Sequence, residues 1–220
     1  MRKVTKEIAP QWFEDWKNNF RTLEGREPHY EPDFSSDDHV GGQRRRKLRA
    51  SLVKEQGAIC CYCMGRITID NSHIEHFWPK GRFSSLDLDY DNLFASCNGD
   101  YRNEDYCGHK KDDWWITGMI PPTDNEVEKV FVYSADGRIQ VRKNHPQASV
   151  AQQMIDHMGL DSFHLERNRR EAIEASEACD EAEYSDDDIR QFIDYYYHKQ
   201  NGEYLPYNKA IIDCLQRLIS

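Results

Sequence analysis

The apolar positions change period along the chain. In QRRRKLRASLVKEQG, Leu48 and Leu52 stand four apart among good helix formers, and Gly57 supplies a stop, which predicts a basic helix leading to Cys60. RITID then alternates Ile67 and Ile69 as a strand does, with DNS as a turn and HIEHF as the returning strand, ended by Pro79 and Gly81. YDNLFASC reads as a loop closing into a short element, and CGHKKDDWW as the opening of a helix. KVFVYSADGRIQVRK alternates on both sides of Asp136-Gly137, a pair suited to left-handed backbone angles, and predicts a hairpin.

From about His145 onward the texture is helical. ASVAQQMIDHMGLD stops at Gly159, and DSFHLERNRREAIEASEA starts from Asp161 or Ser162. YSDDDIRQFIDYYYHK sets Ser185 and Asp188 at capping-box spacing and puts Ile189, Phe192, Ile193 and Tyr196 on one face. In the last helix Ile211, Cys214, Leu215 and Leu218 share a face, so Cys214 reads as a core thiol. The predicted class is α+β.

With 220 residues the chain can bury a proper core, as one large domain or a small one with an appendage. Its apolar runs fall short of the roughly 18 to 20 residues a membrane span needs, and the opening MRKVTKEIAPQW lacks the apolar centre of a signal peptide. The expectation is a cytoplasmic protein with no membrane association. A formal charge of −10 argues against coating nucleic acid by bulk electrostatics. It leaves room for a local basic groove, for which Arg44, Arg45, Arg46, Lys47 and Arg49 are candidates; the same cluster can equally be a solvated face paired with the protein's own carboxylates. The acidic run from Glu171 to Asp188 reads as a solvated helical face.

Seven cysteines, an odd number, suit thiolate ligands plus spare buried thiols better than a disulfide framework. Cys60 and Cys63 form a Cys-x-x-Cys knuckle, and a structural zinc needs a second pair, for which Cys97 and Cys107 are available. A redox role for the knuckle lacks the preceding strand of a thioredoxin-like unit. Cys61 is left over and is expected to be buried. His73 reads as a satisfied strand histidine. Glu75-His76 is followed by Asn92 and then by His109, Lys110 and Lys111, a series that a packing core does not require.

This order resembles the HNH endonucleases, whose ββα-metal motif commonly reads Cys-x-x-Cys, acid-His-x-x-Pro, Asn-Leu, Cys, Cys-His and Lys; here the elements stand as CCYC, EHFWP, NL, Cys97 and CGHKK, between Gln56 and Asp113. EQGAICCYCMGRI, HIEHFWPK, LDYDNLFASCNG and CGHKK look more closely like the HNH nuclease subunit of Septu-type antiphage systems, including retron-associated versions. The resemblance implies a small ββα-metal core with a structural zinc on Cys60, Cys63, Cys97 and Cys107, and hydrolysis of DNA phosphodiesters. It implies that Glu75 and His109 hold Mg²⁺ or Mn²⁺, that His76 accepts the proton of the attacking water, and that the Asn92 loop aligns His76. NGDYRNEDY and Gly108 depart from the usual pattern, so the helix ligand is His109 or Asn98, with His109 preferred for the lysines behind it. Arg44, Arg45, Arg46, Lys47, Lys80, Lys110 and Lys111 are the expected nucleic-acid contacts. An ABC/SMC-like ATPase is the implied partner, with a retron reverse transcriptase and its RNA/DNA a further candidate. The expected organisation is an N-terminal helical segment 1–55 with the basic helix, a nuclease core 56–145 including the hairpin, and a C-terminal helical region 146–220 that docks the partner. The competing class is a non-catalytic zinc-binding module that contacts DNA or protein.

Overall fold

The structure, a computed structural model, describes residues 1–101, 104–176 and 184–219. It is a mixed α+β arrangement whose described strands form three two-stranded antiparallel sheets. Helix α1 (Gln11–Glu24) begins after Pro10, whose ring fixes a helix-compatible φ, and ends at Gly25 with φ +67°. Its Phe13 is fully buried against Phe34 and Tyr90. Helix α2 (His39–Glu55) is capped by Asp38, which accepts from the Gly41 amide at 2.7 Å, and stops before Gly57 at φ +65°. It buries Leu48 and Leu52, as their spacing predicts, and lies across strands β1 (Ser72–His76) and β2 (Leu93–Cys97).

The pairing of β1 differs from the sequence expectation. RITID is not its partner: only an isolated bridge, Ile59 to Arg66, forms there, and β1 pairs with β2 in the register Ser72 with Cys97, Glu75 with Phe94 and His76 with Leu93. The cause lies in the turns on either side. Cys60–Gly65 closes on itself, and the Thr68 amide donates to the Asn71 side chain at 2.6 Å, so the chain reverses before a ladder can grow. Short strands β3 (Asp100–Tyr101) and β4 (Glu104–Asp105) lead into helix α3 (Cys107–Lys111), which rests on β2.

After the one-turn helix α4 (Val127–Val130) comes the expected hairpin, β5 (Phe131–Tyr133) with β6 (Ile139–Val141), turning through Gly137 at φ +86°. Helices α5 (Ala148–Met158), α6 (Phe163–Glu174), α7 (Asp186–Tyr197) and α8 (Asn208–Leu215) follow. Gly159 ends α5 in a left-handed conformation, and Ser185 and Asp188 form a reciprocal capping box on α7. Buried side chains from Phe13 and Leu52 through Phe94 and Phe131 to Leu215 share one core, and Cys214 is part of it. The acidic run is described only at its ends, where Glu171 and Glu174 face Arg167 and Arg170, and Asp186 and Asp187 face Arg190; residues 177–183 lie outside the described residues. No helix among the described residues is long and apolar enough to cross a membrane.

Candidate functional site

Two neighbouring clusters of donor atoms are built on the β1–β2 pair. In the first, the Cys60 amide donates to the Gly65 carbonyl at 2.9 Å, and Met64 takes a left-handed φ of 65° to close the turn. The turn aims the amides of Tyr62 and Gly65 at the sulfurs of Cys60 and Cys63, at 3.5 and 3.3 Å. Cys97 ends β2, Cys107 opens α3, and the four Sγ atoms lie within 4.8 Å of one another. Cys63 and Cys97 are 3.8 Å apart, and a zinc bound tetrahedrally by thiolates at about 2.3 Å has sulfur–sulfur edges of about 3.8 Å. The four thiols therefore fit a zinc ion. Burial opposes ionisation of Cys60, yet hydrogen bonds from Cys107, Cys61, Cys63 and Cys97 draw its thiol well below the ordinary value. Burial pushes the neighbouring Cys61 thiol up, and that residue packs in the core outside the cage, as expected.

The second cluster lines a cleft of about 520 Å³ bounded by His73, Glu75, His76, Lys80, Asn98 and His109, among others. Strand alternation puts His73 and Glu75 on one face of β1. The two oxygens of Glu75 have different surroundings. Oε1 accepts from the Tyr62 hydroxyl at 3.0 Å and sits 2.8 Å from the Lys111 ammonium, whereas Oε2 lies 3.5 Å from His73 Nε2. Burial alone would raise the Glu75 carboxyl, but the Lys111 charge and the His73 contact hold it below the usual carboxylate range. Gly108 lies against both donors: a Cβ there would be 2.5 Å from Glu75 Oε2 and 2.7 Å from His73 Nε2.

His76 closes β1 with its ring edge-on to Tyr30, centroids 4.6 Å apart. Its Nε2 is 2.9 Å from the Asp87 carbonyl oxygen. A carbonyl only accepts, so Nε2 carries the proton and Nδ1 keeps the lone pair. Burial disfavours the imidazolium and lowers the His76 pKa. Asp87 is fixed in turn, since its carboxylate accepts from the Tyr30 amide at 3.0 Å. Asn92 is fully buried; its Oδ1 accepts from the Trp78 amide at 2.7 Å, and its Nδ2 donates to the carbonyls of Trp78 and Leu86 at 3.0 and 2.9 Å. It ties the excursion between the strands and so places the Asp87 carbonyl.

The sequence-predicted residues fare differently. His109 lines the cleft, but its side chain is 57% exposed and its Nδ1 is 3.0 Å from Asp105 Oδ1. Lys111, expected at phosphates, is instead buried on Glu75, because successive helical residues point about 100° apart and only Lys110 of the pair faces outward. On α2, Arg44 donates to the carbonyls of Asp33 and Phe34, Arg45 to Ser35 and Ser36, and Arg49 to the Ser72 carbonyl. Lys47 sits over the Trp12 ring, and Arg46 meets Asp70 at the exposed surface. Lys80 pairs with Glu31 at 2.6 Å. Sequence reasoning missed Tyr62 and Asp87, read Gly108 only as a departure from the motif, and gave His73 no role; the signal for His73 was its two-residue spacing from Glu75 on a predicted strand.

No protein-family model matches the chain. A protein of Vibrio cholerae serotype O1 biovar El Tor, described as "Retron Vc95 putative HNH endonuclease", is 34% identical over 147 residues, covering 64% of this chain and 70% of that one. That extent of identity, together with the acid-histidine strand beside a four-cysteine cage, means that the chain belongs to the HNH endonuclease family.

Proposed function

We propose that this chain is a metal-dependent endonuclease that hydrolyses DNA phosphodiesters, with β1, β2 and α3 as its ββα-metal core. One observation carries the reading: His76 has its Nε2 tied to a carbonyl, which leaves Nδ1 with the lone pair of a proton acceptor, and it lines the same open cleft as Glu75, whose carboxyl is held below the usual range. A neutral imidazole that is already oriented can take the proton of an attacking water at neutral pH. Glu75 and a cleft imidazole would hold Mg²⁺ or Mn²⁺; the family resemblance gives the imidazole to His109. When bound, such an ion relieves negative charge on the phosphate and the departing 3′ oxygen. Tyr62 and Lys111 fix the Glu75 carboxylate in place, and Asn92 and Tyr30 fix the carbonyl that orients His76. The sulfur cage would hold a structural zinc that locks the knuckle, β2 and α3 together.

Lys80, Lys110 and the α2 residues Arg44, Arg45, Arg46 and Lys47 are the proposed phosphate contacts. The retron in the relative's name, with the resemblance to Septu-type subunits, supports an antiphage role in the cytoplasm beside an ABC/SMC-like ATPase, docked through 146–220, and a retron reverse transcriptase. A non-catalytic zinc module would leave the ordering of Glu75 and His76 without a purpose. Nicking of supercoiled plasmid by the purified chain or its ATPase complex, with and without added Mg²⁺ or Mn²⁺, tests the proposal. Cleavage should require the ion and fall by about 10² to 10⁴ in His76→Ala, with zinc content and folding unchanged. Cleavage that ignores the ion, or a His76→Ala variant as active as the parent, refutes it.

A further inference from the structure

We infer that the divalent ion of the proposed site is held by two residues of one strand, His73 and Glu75, and that His109 is not a ligand; this rests on Glu75 being an ion ligand as proposed above. Alternation on β1 brings the two side chains to the same face, and His73 Nε2 and Glu75 Oε2 stand 3.5 Å apart. Neighbouring ligands of an octahedral ion at about 2.1 Å are about 3 Å apart, so both atoms are within reach of one ion. The other carboxylate oxygen already has Tyr62 and Lys111 as partners, which leaves Oε2 as the atom offered to the cleft.

The helix side of the site carries the second line of reasoning. Gly108 directly follows Cys107, the place where related motifs carry a histidine on the helix. Here that position approaches the two strand donors so closely that a Cβ would lie 2.5 Å from one and 2.7 Å from the other. A helix ligand at that position would collide with the strand pair, and His73 supplies from β1 the imidazole that position 108 lacks. His109 is one residue further round α3, with Nδ1 on Asp105 and more than half of its side chain in solvent. One carboxylate with one imidazole also makes a softer donor set than two oxygens, favouring Mn²⁺, Co²⁺ or Ni²⁺ over Mg²⁺.

The test is Mn²⁺ binding to the zinc-loaded full chain, followed by electron paramagnetic resonance and calorimetry, with zinc content and melting temperature as folding controls. The parent should bind Mn²⁺, His73→Ala should bind it at least about tenfold more weakly, and His109→Ala should match the parent within about twofold. His73→Asp restores an oxygen ligand, so it should recover Mn²⁺ binding and shift preference from Ni²⁺ towards Mg²⁺. A loss of affinity in His109→Ala but not in His73→Ala overturns the assignment, as does His73→Asp binding no better than His73→Ala, or a parent that binds no Mn²⁺. Binding does not depend on cleavage, so the two readings fail separately. Tight Mn²⁺ on His73 and Glu75 without DNA cleavage removes the nuclease and keeps the ion site; ion-dependent cleavage with full Mn²⁺ affinity in His73→Ala does the reverse.

Discussion

The sulfur cage and the acidic cleft are next-door neighbours with opposite designs. Ser96 lies between them: its hydroxyl accepts from the Gly108 amide at 3.2 Å on the cleft side and is 3.6 Å from Cys60 Sγ on the cage side. The cage brings together four donors of one kind, from the knuckle, β2 and α3, with Cys60, Cys63 and Cys107 buried and Cys97 half-buried. The cleft brings together unlike donors, satisfies one carboxylate oxygen completely, and leaves the other facing open volume. A closed set of ligands contributes to folding, whereas an incomplete set keeps positions for water and substrate. The difference teaches that the rigidity of the cleft is borrowed from the cage, because α3 carries Cys107 into one and Gly108 into the other.

The largest expected effect comes from breaking the cage. Structural zinc sites contribute about 10 to 16 kcal/mol of apparent binding free energy, which is folding free energy. Cys60→Ser or Cys107→Ser should therefore lose zinc and lower the melting temperature together, and the cleft should fail with them. A variant that keeps its zinc and the parent's melting temperature would show that the two regions are independent.

A smaller effect, confined to the cleft, is expected from Lys111→Met. Removing one partner of a buried ion pair leaves an unpaired charge and costs about 3 to 5 kcal/mol. In the parent, the Glu75 pKa is depressed, so its ionised form stabilises the fold above the ordinary carboxylate value, and this contribution is lost as pH falls through the folded value. In the variant, burial is no longer offset and the pKa rises, so protonation relieves the strain. Denaturant unfolding should show a gap between parent and variant that is widest at neutral pH and narrows in acid, with zinc content equal in both. Adding Glu75→Gln should recover much of the loss; a double variant as unstable as the single one would mean that Lys111 acts through something other than Glu75.

The mildest expected effect is on the pH profile. Burial lowers the His76 pKa below its usual 6.5, so the neutral base persists on the acid side of that value and cleavage should fall about tenfold per pH unit only below it. Rates measured from pH 5 to 8 at saturating ion check this. A limb centred above pH 7 would show that His76 is not the titrating base.

Where chemistry is local, the sequence was legible. Asp136-Gly137 made its hairpin, Ser185 and Asp188 made their capping box, and the four cysteines converged. The partner of β1 was not legible: Ile67 and Ile69 alternate convincingly, but pairing is decided by where Cys97 must go to reach the knuckle, across an excursion that Asn92 ties down. Lys111 was misread for a related reason. Adjacent lysines look equivalent in a string, and a helix sends one outward and the other inward. His73 alone on a strand resembles packing, and its meaning depends on Gly108, which comes from a distant part of the chain and contributes by having no side chain.

The meeting of Tyr62, Glu75 and Lys111 at one oxygen has a consequence for how such chains diverge. These residues come from the knuckle, β1 and α3, yet neither Glu75 nor Lys111 can drift alone without stranding a buried charge, and the buried Tyr62 hydroxyl has its acceptor only while Glu75 stands. Among descendants of this sequence the trio should be inherited as a block, changing together or not at all. A lineage in which position 75 has become neutral should carry an apolar residue at 111, and that pairing would mark the loss of the proposed ion site long before the cage showed any trace of decay.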